Sequence, residues 1–461
     1  MLEVLFRLLL LPVALTGLAS NAAWAQSPAD EDYHIYNDAP RVLLTKQRLR
    51  LLQRERQRQS MRWQQFDALI AGGAALPEPG FAAALYYQVA GDQASGRKAV
   101  DWALSEAADP QRDLRQLALI FDWCGPVMSK TQADRLDAKI ERALAPPGSP
   151  NGDGSVGDVR GHSARVLAAI AIADRLPDHG DKVLRAEIVG WWYGGVVKRI
   201  AQGEAAIPRE QLYFLYEMFH AVRDNLKIDL REPAGEYFKS LPVDHIASHY
   251  PAPLGAPENE YRVPVYVRDG EPDLNDAAMS RAAEMAMVAF DDNALESQYL
   301  QGWLMQDRFL MKGGLGAVYE FMWANPYQPG LSYFHIPLVF HEASTGHVFA
   351  RTSWDEDATW IGYFDGHLQM FADGHVQSLR PGAATKPVHI GDAVLLSAEN
   401  KDAAKFRANG EAIFVLNLMP RSTYEVEVDD EELSEAETDV GGTLVLSFPE
   451  GTDTGVRIRR R

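Results

Sequence analysis

Tyrosine, glutamate and histidine side chains share one face of the segment 212–220, which reads as a helix. Tyr213, Glu217 and His220 follow one another at spacings of four and three residues, so they form a polar stripe. The neighbouring stripe is apolar and consists of Leu212, Leu215, Tyr216 and Phe219. A hydroxyl beside an imidazole can pass protons to and from a bound substrate, although such a pair on a helix is more often structural. The helical phase favours Tyr213 as a cleft residue and Tyr216 as a core residue.

A second histidine and several cations lie close to this segment in sequence. His162 stands in Gly161-His162-Ser163-Ala164. The neighbouring basic residues are Arg160, Arg165, Lys198, Arg199 and Arg209. They could form the basic patch that a polyanion needs, and scattered surface charge explains them equally well. For His162, a satisfied and half-buried position is the alternative to a functional one.

Amphipathic helical segments account for the chain from residue 35 to about residue 320. Thr45 is a suitable N-cap for the first of them, which reads KQRLRLLQRERQRQ. Breaks rich in glycine and proline, such as 146–154 and 251–257, separate the segments. No sequence repeat is detectable. Helical hairpins of this kind either stack into a solenoid or close into a toroid, and the periodicity does not choose between them.

Beyond Trp323 the period of the hydrophobic pattern changes from helical to two. Tyr424, Val426 and Val428 alternate with acidic residues, and Gly441-Gly442 predicts a turn into the next strand. We therefore predict an antiparallel β-sandwich over residues 330–461. The fold class is an α part followed by a β part. No Gly-rich phosphate loop, Cys/His metal box or G-x-S-x-G elbow occurs in the sequence.

Residues 1–25 have the features of a cleavable signal peptide. An apolar run of about a dozen residues ends in Ala23-Trp24-Ala25 and is too short to anchor the chain in a membrane. No later run is long and apolar enough to span a bilayer. The lone Cys124 cannot form an intramolecular disulfide, and we expect it to be a packing residue. These features predict a secreted protein, most simply a periplasmic one.

The net charge of −19 argues against a nucleic acid partner, because phosphate binding needs a basic footprint. Part of the excess lies in the run 425–439, which holds nine acidic residues and which we interpret as a solvated face. A locally basic cleft is compatible with this balance.

Several short sequence motifs occur in the order found in one enzyme family. They are residues 40–45, 119–123 and 161–164, Glu210-x-x-Tyr213, residues 323–326, and the strand-like stretch 346–382 with its Arg-Thr-Ser-Trp-Asp. Together they resemble the heparinase II/III-like polysaccharide lyases, of the alginate lyase and heparinase type. The resemblance spans nearly the whole mature chain. It implies an (α/α) toroid over residues 35–320, a β-sandwich over residues 330–461, and β-elimination on uronate-containing polysaccharides.

In such a lyase the C5 proton of a uronate is removed, which requires that the neighbouring carboxylate is neutralised by Asn, His or Arg. A Tyr or His base takes the proton, and a Tyr protonates the leaving O4 oxygen. The resemblance implies Tyr213 and His162 as catalytic residues. Arg160 could supply the positive partner, because Gly161 stands where the family has Asn. The candidate substrate-binding residues are Arg160, Tyr216, His220 and Arg209.

Two sequence motifs of the family are missing from this sequence. The family carries a His-x-His-x-Asp element with a catalytic His and metal ligands, and an Asp-x-Gly element with a further ligand. When the sequence is aligned with the family, only residues 362–365 are left for the His-x-His-x-Asp element. The Asp-x-Gly element falls on Arg380-Pro381-Gly382. We therefore expect neither a metal nor another cofactor. The alternative is a zinc site gathered from His367, Asp373, His375, His389 and Asp392.

Our interpretation is a lyase whose partner is an acidic polysaccharide or oligosaccharide. A non-catalytic carbohydrate-binding or scaffold protein on the same fold is the main alternative, and the missing His-x-His-x-Asp favours it. A toroid glycosidase would need two facing carboxylates. Glu210 and Asp224 are candidates for that pair, but no spacing singles them out.

Overall fold

The protein is described by a computed structural model. It describes residues 33–144, 158–203, 207–256, 259–268, 270–306, 311, 313–382, 386–429, 432–449 and 451–461. The predicted signal peptide, residues 1–25, lies outside the described residues. Within the described ranges, no helix has both the length and the apolar composition that a membrane crossing requires.

All fourteen α-helices of the described residues precede the three larger sheets. They are α1 (Lys46–Gln57), α2 (Met61–Ala71), α3 (Pro79–Ala90), α4 (Gln93–Leu104), α5 (Leu114–Trp123), α6 (Lys130–Leu144), α7 (Val159–Ile172), α8 (Pro177–Arg185), α9 (Val197–Ala201), α10 (Leu212–Leu226), α11 (Gly235–Ala247), α12 (Leu274–Phe290), α13 (Leu295–Gln306) and α14 (Gly313–Trp323). A π-helical run, Ala186–Val196, joins α8 to α9. The side chain of Thr45 accepts a hydrogen bond from the Arg48 backbone N–H, so the predicted N-cap of α1 is confirmed.

Seven of these helices pack in a closed circuit. In order, α3 contacts α5, α5 contacts α7, α7 contacts α10, α10 contacts α12, α12 contacts α14, α14 contacts α2, and α2 contacts α3. Helices of the circuit such as α5 and α7 are buried along most of their length, and polar side chains such as Arg115 and Asp122 of α5 are buried with the apolar ones. Cys124, at the end of α5, packs in this core as predicted. The contacts bring α2, near the start of the α part, beside its last helix, α14.

Fifteen strands occur among the described residues. They are β1 (Leu254–Ala256), β2 (Asn259–Tyr261), β3 (Val339–Glu342), β4 (His347–Arg351), β5 (Trp360–Phe364), β6 (His367–Ala372), β7 (His375–Leu379), β8 (Val388–Ile390), β9 (Ala393–Ser397), β10 (Ala403–Ala408), β11 (Ala412–Leu416), β12 (Thr423–Val428), β13 (Glu432–Glu437), β14 (Leu444–Ser447) and β15 (Thr454–Arg460). Apart from the β1–β2 hairpin, they form an inner sheet (β3-β4-β5-β6-β7), a middle sheet (β14-β11-β9-β8) and an outer sheet (β10-β15-β12-β13).

The three sheets stack as successive layers on the helices, because their side chains alternate between two buried faces. One face of the inner sheet packs on residues near α11 and before α12 and carries Phe349, Trp360, Phe364 and Phe371. Its opposite face meets the middle sheet and carries Val348, Ala350, Ile361 and Tyr363. The middle sheet buries its other face against Tyr424 and Val426 of the outer sheet. The order of layers is helices, inner sheet, middle sheet, outer sheet.

The predicted order of an α part followed by antiparallel sheets is confirmed. Two details differ from the expected sandwich. The sheets form three layers, and one strand pair, β9 with β11, is parallel. The middle sheet is apolar on both faces, since Leu395 and Phe414 face the inner sheet while Val394 and Ile413 face the outer one. A period of two shows that side chains alternate, but it does not show that both faces are covered.

Gly302 in α13 tests how closely the connection after α14 packs on the helices. A Cβ at this position would lie 1.7 Å from the Leu331 carbonyl oxygen, whereas a Cβ on Gly235 would meet nothing within 4 Å. Gly302→Ala must push these backbones apart, and we expect a loss of roughly 1–3 kcal/mol in the free energy of unfolding. Gly235→Ala is the matched control and should be neutral or slightly stabilising. Urea midpoints measure both, and equal midpoints would contradict the packing of residues 330–331 on α13.

Candidate functional site

A cavity of about 630 Å³ lies between the helices and the inner sheet. The start of α10, helix α11 and the start of α12 form one side of it, and the ends of β4 and β5 form the other. Residues 263–268 also contribute to its wall. The volume falls within the range of roughly 300–1,000 Å³ in which proteins bind small ligands. This cavity is the candidate site.

Two acidic residues hold a histidine on the sheet side of the cavity. His347 is the first residue of β4, and its Nδ1 lies 2.9 Å from Oδ1 of Asp244 on α11. Asp365 and Gly366 form the two-residue turn between β5 and β6, with φ of 48° and 75°. Positive φ at both positions is typical of the type I′ hairpin turn, in which Asp-Gly is favoured. The turn leaves Asp365 Oδ1 3.8 Å from His347 Nε2.

The imidazole of His347 is cationic at neutral pH. Burial lowers the pKa of His347, but the carboxylates of Asp244 and Asp365 outweigh burial and raise it to about 10. Burial also opposes ionisation of Asp244, yet His347 holds the pKa of Asp244 below its usual value. An ion pair therefore links the inner sheet to α11 at the wall of the cavity.

On the helical side, Arg209 lies in a buried polar cluster. Its guanidinium donates to the hydroxyls of Ser280 and Ser248, each at 2.6 Å. It also forms an ion pair of 3.0 Å with Glu284, which is fully buried. Burial lowers the pKa of His245, another residue of the cavity wall, well below its ordinary value, so this imidazole is neutral at pH 7. The positive charge of Arg209 is balanced locally by Glu284.

Some of the other polar groups of the cavity wall have hydrogen-bonding or ionic partners, and others do not. Arg268 pairs with Asp273 at 3.6 Å and also with Asp276. Glu210 is exposed and Tyr266 is partly exposed. Among the described residues, neither the Glu210 carboxylate nor the Tyr266 hydroxyl has a hydrogen-bonding or ionic partner. These two groups remain available to a ligand.

Tyr213 lies away from this cavity wall, in a buried network inside the helical circuit. Its hydroxyl donates to Glu217 and accepts a hydrogen bond of 3.0 Å from the indole N–H of Trp323. Arg115 of α5 bonds to Glu217 at 2.6 Å and to Glu78 at 2.8 Å. Burial, and then the negative charge of Glu217, raise the pKa of Tyr213 well above its usual value. The polar stripe expected to face a cleft is buried, because Arg115 pairs with Glu217 inside the circuit.

His162 has a separate set of partners on the other side of α7. Its Nδ1 lies 2.5 Å from Oε2 of Glu187 in the π-helical run, and its ring stacks on Trp191 at 4.0 Å. Arg165 bonds to the same glutamate at 2.5 Å. Within the described residues, His162 and Tyr213 share no hydrogen-bonding partner. Their proposed joint action stays a prediction.

The remaining sequence candidates fall into three environments. Arg160 has a half-exposed guanidinium that lies 3.7 Å from Glu78 and 5.0 Å from the ring centre of Phe214. Tyr216 is buried against other aromatic rings, as its apolar stripe predicts. His220 is fully buried and bonds to the Ala286 carbonyl at 3.0 Å, and burial lowers its pKa well below the ordinary value. Of the six candidate residues, Arg209 is the one that lines the cavity.

The sequence interpretation missed the pair formed by His347 and Asp244. The two residues are 103 positions apart, and neither belongs to a recognisable motif. The one available signal was the Asp365-Gly366 dipeptide between two alternating runs, which predicts a two-residue hairpin turn. In the described part of the chain, no three His, Cys, Asp or Glu side chains group closely enough to hold a metal ion.

Comparison with known proteins gives distant similarity to sixteen chains of solved structures, including the following two. No family model matches the chain, and no curated protein sequence matches it. The chain is similar to the crystal structure of heparan sulfate lyase HepC from Pedobacter heparinus, with 12% identity over 83% of this chain and 75% of that chain and a TM-score of 0.38. It is also similar to a glycoside hydrolase, with 9% identity over 93% of this chain and 76% of that chain and a TM-score of 0.33. These values do not assign the chain to a family.

The buried network predicts unequal effects for two neighbouring tyrosines. Tyr213→Phe removes a hydroxyl that bonds to Glu217 and Trp323, and we expect a loss of about 1–3 kcal/mol in unfolding free energy. Tyr216→Phe is the matched control, because its hydroxyl has no hydrogen bond among the described residues, and it should cost less than about 1 kcal/mol. Chemical denaturation of both variants checks this. Equal stabilities would mean that the Tyr213 hydroxyl does not hold the network.

The ion pair of His347 predicts a pH dependence of stability. The folded-state pKa of His347, about 10, exceeds its ordinary value of 6.5. Its contribution is therefore complete below pH 6.5 and is lost as the pH rises towards 10. We expect the wild-type protein to be more stable than His347→Gln at pH 6.5, with the difference shrinking by pH 10. Melting temperatures of both proteins across this range measure it, and a constant difference would contradict the assigned charge.

Proposed function

We propose that the protein is an exported, most simply periplasmic, lyase that holds an acidic polysaccharide in the cavity and cleaves it by β-elimination. One observation carries the proposal: a cationic group lies on each side of the same cavity, Arg209 from the helices and His347 from the inner sheet. A ligand carboxylate would share these cations with their present partners Glu284, Asp244 and Asp365. A uronate carboxylate between them would be stabilised, and its C5 proton would become more acidic. The sequence words shared with the heparinase II/III-like lyases support the same reaction independently.

The N-terminus of α10 adds to the positive potential of the cavity, since its residues line the wall and no side chain caps it among the described residues. The N-terminus of α12 also lies on the wall, but its N-cap Asp273 accepts from the Asn275 N–H and Asp276 lies in its first turn. The unpaired N–H groups of a helix start carry partial positive charge and favour bound anions. This contribution does not depend on side-chain ionisation.

Most of the carboxylates on the wall already have a cationic partner. Asp244 and Asp365 lie beside His347, and Asp273 and Asp276 pair with Arg268. Paired carboxylates repel an approaching anion less than free ones, since their charge is largely balanced at short range. The acidic composition of the wall is therefore compatible with a uronate ligand.

Proton transfer in the cavity is assigned to Tyr266 in this proposal. Tyrosine carries a proton at neutral pH and can give it to the leaving O4 oxygen, while the Glu210 carboxylate on the same wall can accept the C5 proton. The Tyr266 hydroxyl lacks a partner among the described residues, while that of Tyr237, also on the wall, accepts from the Ile207 N–H at 3.0 Å. Tyr213 and His162 are the rival pair that the sequence implies. Their use would require the buried network around Arg115 to open.

The proposal includes the architecture of the resembled family. The closed circuit of helices is then the (α/α) toroid of residues 35–320. The stacked sheets of residues 330–461 take the place of the sandwich. Helices that return to their starting point are expected of a toroid and not of an open solenoid.

A non-catalytic carbohydrate-binding protein is the second candidate, and one observation favours it. The Tyr213 hydroxyl is fully buried and engaged by Glu217 and Trp323, so a substrate cannot reach it without rearrangement. The absent His-x-His-x-Asp element agrees with this alternative. In this alternative the same cavity binds the same ligand, but the protein catalyses no reaction.

The decisive test is the purified mature protein with a panel of uronate polysaccharides, monitored by the ultraviolet absorbance of the new C=C bond. We expect activity on at least one polyuronate. Tyr266→Phe should then lower kcat by roughly 10²–10⁴-fold, because general acid–base help of that size is lost. Tyr36→Phe is the control, since Tyr36 is exposed and does not line the cavity.

The outcomes separate the alternatives. Activity lost in Tyr213→Phe but kept in Tyr266→Phe would move the chemistry to the buried network. Tight binding without any elimination product would establish the non-catalytic protein. Neither binding nor elimination on any polyuronate would overturn the proposal.

A further inference from the structure

Helix α1 carries a row of four basic residues along one face. Lys46, Arg50, Arg54 and Arg58 follow at intervals of four, so each lies about one turn along the helix and about 40° further round it than the one before. We call them the α1 cation row. Arg58 is the C-cap of the helix and keeps helical dihedral angles. At 1.5 Å per residue the row spans about 18 Å.

The α1 cation row has no acidic counterpart. All four side chains belong to exposed residues, and within the described ranges none of them forms a salt bridge. The one acidic residue of the helix, Glu55, is buried and accepts a hydrogen bond of 2.5 Å from the Tyr327 hydroxyl. Like charges at this spacing each cost a few tenths of a kcal/mol in helix stability. An unpaired row of four cations is therefore a feature that folding does not require.

An exposed aromatic ring extends the row towards the connection after α14. The ring of Tyr327 is 40% exposed. The guanidinium of Arg58 lies 4.9 Å from its centre and that of Arg54 lies 5.8 Å away. The buried bond to Glu55 fixes the ring, and the two arginines are held beside it. The surface thus combines fixed cations with one planar apolar face.

We propose that the α1 cation row and Tyr327 form a second binding surface, separate from the cavity, for the chain of an anionic polysaccharide. Charge complementarity carries the assignment, because a local excess of four cations occurs in a protein whose net charge is −19. A flexible, linear polyanion can follow a single row of charges. The surface would hold the polymer while other parts of the same chain enter the cavity.

Two other anionic partners fit the surface less well. Duplex nucleic acid needs a broad basic footprint, and the acidic remainder of this protein opposes it. A membrane-surface helix needs exposed apolar residues to insert beside its cations. In α1, Leu52 is fully buried, and Leu49 packs against the helical core.

The test compares two triple variants with the same change in net charge. The first is Arg50→Gln, Arg54→Gln and Arg58→Gln. The control is Arg97→Gln, Lys98→Gln and Lys130→Gln, three exposed cations on α4 and α6 that form no salt bridge among the described residues. Binding of each protein to immobilised alginate and heparin is measured over a range of salt concentrations. Circular dichroism confirms that both variants are folded.

We expect the wild-type protein and the control to bind at low salt, and the first variant to bind roughly tenfold or more weakly. Its plot of log affinity against log salt should also be flatter, because fewer counterions are released. Equal binding by the two variants would overturn the inference, and so would absence of wild-type binding to both polymers. Tighter binding to duplex DNA or to vesicles of phosphatidylcholine and phosphatidylserine would overturn the assigned partner. The elimination assay is an independent test of the proposed function. If the polymer binds to the α1 cation row but no elimination occurs, only the proposed chemistry is contradicted.

Discussion

The closed circuit of helices depends on one buried cation, Arg115. Its guanidinium bonds to Glu78 at the start of α3 and to Glu217 of α10, and Tyr319 of α14 donates to the same Glu78. The network thus joins four helices that are distant in sequence. A buried charge without its partners costs several kcal/mol, so the members are held together as a unit. Apolar packing between helices tolerates small shifts in register. Hydrogen bonds have fixed directions and do not tolerate such shifts, so the bonds of this network determine which helix ends meet.

This network also shows how residue types that a lyase needs can be engaged by one another inside the protein. Tyrosine, glutamate and arginine are the groups that a lyase needs, and they are also the groups that can satisfy one another inside a ring of helices. At Tyr213 every lone pair and proton is engaged within the protein. At the cavity, Tyr266 and Glu210 are not so engaged among the described residues. Whether a tyrosine hydroxyl is engaged inside the protein or is open to a ligand therefore depends on its hydrogen-bonding partners, which a sequence does not contain.

What the sequence could predict follows from the range of the interactions concerned. The cap at Thr45, the burial of Tyr216 and the alternation along β12 depend on neighbours within a few residues, and they were predictable. The stacking of three sheets and the pair of His347 with Asp244 depend on residues brought together by the whole fold. Helical phase placed Tyr213 and Glu217 on one face correctly, but it could not show that Arg115 of α5 pairs with Glu217. A polar stripe has the same sequence pattern whether it faces a cleft or a buried partner.

The acidic balance of the chain is not evidence against a polyanionic ligand once charges are located. At physiological ionic strength a charge is screened within about 8 Å, so a ligand responds to the side chains beside it and not to the total. Acidic residues are concentrated on β12 and β13 of the outer sheet, but the neighbouring strands β10 and β15 carry five cations, whereas the α1 cation row has no salt-bridge partner among the described residues. The charges of the outer sheet are thus largely balanced within the sheet, as in the pair of Arg457 with Glu427 at 3.2 Å. The net charge of the protein therefore does not indicate which of its surfaces an anion would meet.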